Sequence, residues 1–124
     1  MIAEEWLNAH GFTKEEPIDP HVARYTGAHV PQEIKELLHC ELGDVTPLVY
    51  ININDNSDFH CEKTWRVELG LANHPDTFDL FGSSSPFAST LSSAYREAAY
   101  DFLYRRHLQQ EPVPAIVAWR RRLP

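Results

Sequence analysis

The sequence predicts an α+β fold: a three-stranded antiparallel sheet with helices packed on one face, in the order α-β-β-β-α, plus an N-terminal helical extension. Three observations predict it. Val49, Ile51 and Ile53, then Trp65, Val67, Leu69 and Leu71, alternate with polar or small residues, the period of half-buried strands. Ile34, Leu37, Leu38 and Leu42 recur at helical spacing. Leu91, Ala94, Tyr95, Ala98 and Phe102 form a second helical stripe, with Leu103 beside it, whose alanines let a helix lie close on a sheet. A chain of 124 residues is enough for one such core and little more.

The elements follow in order. Residues 3–10 suit a short helix, with Glu4 and Glu5 in its first turn and Gly11 as its stop. Trp6, Leu7 and Phe12 give it something to bury. Residues 13–30 hold Pro17, Pro20 and Gly27 and read as a wrapping loop with one turn around His21–Tyr25. Pro31 stands at a natural first helical position, and Gly43 closes a helix over 32–42. Thr46–Asn54 is the first strand, and Asp55-Asn56-Ser57-Asp58 the turn after it. Trp65–Leu71 is the second strand, Ala72–Asp76 a turn, Thr77–Phe81 the third strand, and Gly82–Pro86 a loop. The last helix starts near Ser89 or Thr90 and ends near 106. Glu111-Pro112-Val113-Pro114 breaks the chain before Ala115–Trp119 and Arg120-Arg121-Arg122. The chain thus divides into a 1–30 helix and wrapping segment, a 31–108 domain, and a 109–124 tail.

Apolar residues at 43% and charged residues at 23% are ordinary for a globular domain. No apolar run reaches the ~20 residues that span a bilayer, and the acidic N-terminus is unlike a signal peptide, so no membrane partner and a cytoplasmic or nuclear location are expected. Cys40 and Cys61 then read as reduced thiols. The net charge is −7. Residues 1–62 carry 12 acids against 3 bases, and residues 63–124 carry 6 against 8. Such a field opposes phosphate binding.

His39-Cys40 and His60-Cys61 suggest zinc, but adjacent side chains diverge by about 100° on a helix and point to opposite faces of a strand. The seven histidines are scattered, and no hydrolase, metalloprotease or phosphate-loop motif frames any of them. No metal or cofactor is expected, and no catalytic residue is assigned. Arg105-Arg106-His107 suits a helix C-terminus, and the Arg120–Arg122 run a solvated tail.

The order of elements over about 31–108 resembles the double-stranded RNA-binding domain. Pro47 opens the first strand, His60 lies in the first hairpin, and Trp65 opens the second strand. Gly82 precedes the last helix, whose spine is Ala94, Ala98, Ala99, Phe102 and Leu103. The resemblance implies RNA binding by three surfaces: the first helix, the first hairpin, and lysines opening the last helix. Register on Ala94 puts Leu91, Ser92 and Tyr95 at the lysine positions, and none is basic. The hairpin Asn56–His60 lacks the family's Gly and Pro, and the first helix shows Glu33, Glu36 and Glu41 against Lys35.

The resemblance therefore implies a non-catalytic protein–protein interaction or dimerisation module from which RNA binding is largely lost. The expected partner surface is the edge strand Thr77, Phe78, Asp79, Leu80 and Phe81, with Phe81, Phe87, Tyr100 and Tyr104 as aromatic anchors for a protein partner or a second copy. A second reading is weak double-stranded RNA binding through His60, Lys63, Arg66 and Arg96. A third is a small enzyme with a pocket made by residues 13–30.

Overall fold

The computed structural model describes residues 3–17, 19–57, 60, 62–71 and 82–108, with side chains as far as 105. Helix α1 is Ala3–Ala9, β1 Thr13–Lys14, β2 Val22–Gly27, α2 Gln32–Leu42, β3 Pro47–Asn54, β4 Thr64–Leu71, β5 Gly82–Ser83 and α3 Leu91–Leu108. The fold is α+β, with one antiparallel sheet in the order β1-β2-β3-β4-β5.

The alternation of β3 and β4 sets the register. Ala23, Ile53 and Trp65 form one row across β2, β3 and β4; Tyr25, Ile51 and Val67 form the next. Gly27, Val49, Leu69 and Gly82 form a third. These rows face the helices. Val49, Ile51, Val67 and Leu69 are sealed from water together with Leu7 of α1, Ile34 and Leu38 of α2, and Ala94 and Ala98 of α3.

The sheet is wider than three strands because part of the expected loop at 13–30 is strand. Thr13 pairs with Thr26, and β2 pairs with β3 from Val22 opposite Asn54 to Gly27 opposite Val49. Of the expected turn at His21–Tyr25, all but His21 is therefore extended backbone. Its inward residues, Ala23, Tyr25 and Gly27, alternate as a strand requires, but two are too small to give a hydrophobic signal. At the other side, Gly82 and Ser83 are not loop: they pair with Leu69 and Glu68. The ladder continues through Ser84 N–H to the Val67 carbonyl (2.8 Å) and Trp65 N–H to the Ala88 carbonyl (2.8 Å). The third strand expected at Thr77–Phe81, the turn before it, Cys61 and the 109–124 tail lie outside the described residues.

The helix ends follow local chemistry. Pro31 sits one residue before α2, as its N-cap rather than its first residue, and its carbonyl accepts from Ile34 and Lys35 N–H. Gly43 (φ 78°) donates to the His39 carbonyl and closes the helix, a conformation that favours glycine. Gly11 (φ 80°) plays the same part after α1. Thr90 Oγ accepts from Ser93 N–H at 3.1 Å, capping α3. Thr90→Ala is expected to cost about 1 kcal/mol, read as a lower urea midpoint at unchanged slope. Among the described residues no helix is long and apolar enough to cross a membrane.

Candidate functional site

The N-terminal turn of α3 is brought against three distant segments. Tyr95 lies one turn beyond Leu91 and Ser92, so the three border the same pocket from the helix side. Pro31 at the start of α2, Trp65 at the start of β4, and Ala3 and Trp6 of α1 complete the walls of a pocket of about 430 Å³. Pro31, Ser92 and Tyr95 also line a groove of about 400 Å³ between α2 and α3. Ile34, Leu37 and Ala99 give that groove its apolar surface, while Glu33 and Glu36 stand on the α2 side and Arg96 on the α3 side.

Each wall is fixed by its surroundings. Tyr95 is 2% exposed, and its hydroxyl donates to the His29 carbonyl at 2.8 Å; burial pushes its phenol above the ordinary tyrosine range. Trp65 is held by its backbone bond to Ala88. Trp6 stacks on His10 (4.0 Å between ring centres) and meets His29 edge-on (5.5 Å). The His10 Nδ1 lies 2.8 Å from the Trp6 carbonyl, and the His10 and His29 rings are 4.4 Å apart. His29 is held below the ordinary histidine range, first by burial and then by His10. On the other side of α1, the Tyr25 hydroxyl donates to the Glu4 carboxylate; burial first, then Glu4, raise the Tyr25 phenol.

No family model, curated protein or solved structure gives a significant match to the chain.

The fold separates the residues proposed from sequence for RNA. Arg66 is opposite Asn52, on the sheet face away from the helices, and its Nη2 donates to Ser83 Oγ (3.2 Å). There it shares a network across three strands. Glu68, 8% exposed, accepts from Asn52 Nδ2 at 3.1 Å, with Arg24 Nη1 and Arg66 Nε each 3.9 Å away. Arg24 reaches Glu15 at 3.4 Å and covers the Tyr50 ring at 4.1 Å. Arg96 lies on the helical side, in the α2–α3 groove. Lys63 and His60 lie at the β3–β4 hairpin, where His60 takes a positive φ of 56° and donates its N–H to the Ser57 carbonyl. Arg66 and Arg96 thus face opposite sides of the sheet.

The expected aromatic anchors also part company. Phe87 is 79% exposed and Tyr104 41%, whereas Tyr100 is half-buried. Phe87 and Pro86 border a second concavity with Lys63, Val22 and His21 at the hairpin end. Thr77, Phe78, Asp79, Leu80 and Phe81 lie outside the described residues. Sequence reasoning missed the pocket of Trp6, Pro31 and Trp65. The signal in the sequence that points to it is the uncharged Leu91, Ser92, Tyr95 triplet. Among the described residues, no three His, Cys, Asp or Glu side chains are grouped to hold a metal ion; Cys40 is exposed and lines the groove.

Proposed function

We propose that the chain is a non-catalytic protein-interaction module on a frame resembling the double-stranded RNA-binding domain. Its docking site is the pocket of Trp6, Pro31, Trp65 and Leu91, together with the adjoining α2–α3 groove. One observation carries this reading: Leu91, Ser92 and Tyr95, at the positions where the resemblance expects phosphate-binding lysines, line an apolar pocket instead. Indole, proline and leucine surfaces suit a buried apolar side chain, whose transfer from water is worth roughly 1.5–3 kcal/mol. They carry no positive charge to neutralise a phosphate.

The groove suggests the partner's chemistry. Glu33 and Glu36 outnumber Arg96 along it, within a chain of net charge −7. A segment with one large apolar anchor and basic flanks fits, because the anchor supplies affinity while the charges steer and orient it. A decapeptide with a central Trp flanked by arginines is expected to bind the full chain, measured by titration calorimetry. The same peptide flanked by glutamates is expected to bind more weakly. Ser92→Trp, which fills the pocket from an exposed position on α3, is expected to weaken the arginine peptide about tenfold or more, the size of a hot-spot loss. An unchanged affinity in Ser92→Trp would place the docking surface elsewhere.

A further inference from the structure

One wall of the docking pocket is tied to a pair of histidines that the docking reading does not itself use. His10 closes α1, and His29 lies in the segment joining β2 to α2. Their rings stand 4.4 Å apart, both against Trp6, which lines the pocket. The His29 main chain holds a second wall, since its carbonyl accepts from the Tyr95 hydroxyl.

We propose that the His10–His29 pair is a proton switch on this pocket, which keeps its Trp6 wall while the pair carries no more than one proton and loses it when both rings are charged. The inference rests on the docking reading of the same pocket.

The chemistry distinguishes the two protons. His10 Nδ1 donates to the Trp6 carbonyl, which leaves Nε2 to take a proton. A single imidazolium stacked 4.0 Å from the Trp6 ring is tolerated, because a cation over an indole face is attracted to it. A second charge on His29, 4.4 Å away, repels the first in a partly buried setting. The nearest relief is separation of the α1 end from the β2–α2 segment, and Trp6 moves with α1.

The other charged groups around His29 leave that repulsion in place. Lys35 and His39 of α2, and Asp44 just beyond its end, share with it a cavity of about 310 Å³, but His39 Nδ1 is already 3.1 Å from Asp44 Oδ1. From α3, Tyr95 meets the main-chain carbonyl rather than the ring. From α1, Glu4 is engaged with the Tyr25 hydroxyl.

The sign follows from His29. Its folded-state pKa lies below the ordinary histidine value of 6.5, so between the two the unfolded chain binds the extra proton. Stability and the closed pocket are both present above pH 6.5 and are lost as pH falls through the lowered value.

The test follows the Trp6 indole N–H and the histidine ring protons of the full chain by NMR from pH 8 to pH 5, with calorimetry of the arginine-flanked Trp peptide at pH 7.5 and 5.5. The Trp6 resonance is expected to move with the titration of His29. Peptide affinity is expected to be severalfold lower at pH 5.5 than at pH 7.5, because the closed pocket that binds the peptide excludes the second proton. His29→Gln, which keeps the main-chain carbonyl, is expected to bind at pH 7.5 like the parent and to lose most of that fall. A Trp6 signal indifferent to His29, or the same fall in His29→Gln, overturns the switch. Equal binding at both pH values overturns the switch and leaves the docking reading standing. No binding at any pH, with Trp6 still following His29, overturns the docking reading and supports the switch.

Discussion

Gly82→Ala is expected to cost about 3 kcal/mol, near the upper end for overpacking. Its Cβ would stand on the Ala98 carbonyl oxygen, well inside contact distance, and 2.9 Å from Phe102 Cβ. Both obstacles belong to α3, and the first is main chain, so no rotamer change relieves it. Either α3 lifts from the sheet or β5 leaves β4. The helix is also tied to this edge by Ser83 N–H, which donates to Asp101 Oδ2 at 2.8 Å, and Asp101 in turn holds Arg105 at 3.0 Å. Urea unfolding measures the loss, and a cost below about 1 kcal/mol would mean that α3 does not rest on β5 as described.

Leu7→Ala is expected to cost about 3 kcal/mol, within the 2–5 kcal/mol range for truncating a sealed leucine. Leu7 is 0% exposed in the shared core, and its carbonyl accepts the Phe12 N–H at 2.9 Å, fixing the exit of α1. The expectation bears on function because α1 supplies Ala3 and Trp6 to the pocket. If α1 were an accessory, its loss would barely register. As a wall, its loosening should red-shift tryptophan emission and weaken the arginine-flanked peptide, while the far-ultraviolet signal of α2 and α3 persists. Wild-type-like stability would make α1 an ornament.

The legibility of the chain followed the reach of its signals. Helix α2 could be bounded from Pro31, Gly43 and the spacing of Ile34 and Leu38, because caps and periodicity are local. Strands β3 and β4 showed through Val49, Ile51, Val67 and Leu69. Strand β2 did not, since Ala23 and Gly27 carry its inward pattern with almost no side chain, just after Pro17, Pro20 and a run of polar residues. The expected core stripe of α3 is buried at Ala94, Tyr95, Ala98, Phe102 and Leu103, with Leu91 half-exposed at the pocket.

The pocket was the least legible part, for a physical reason. Trp6, Pro31, Trp65 and Leu91 are far apart in sequence, and only the helix-on-sheet packing brings them together. A triplet read as missing charge is, in three dimensions, the apolar wall of a cavity. The cationic residues erred in the opposite sense. Arg66 and Arg96 looked usable together, but the period-2 alternation of β4 puts Arg66 on the far side of the sheet from the helices, where it stands beside Glu68 and hydrogen-bonds Ser83.

The most direct measurement sets the two ligand chemistries against each other on the unmodified chain. A 20-base-pair RNA duplex and the arginine-flanked Trp peptide are each titrated at 50 mM and 200 mM salt. The account predicts saturable peptide binding that weakens only modestly with salt, and duplex binding too weak to saturate at either concentration. Tight duplex binding that falls steeply with salt, with peptide binding absent, would contradict it, because that is the signature of phosphate neutralisation rather than of an apolar anchor in a pocket.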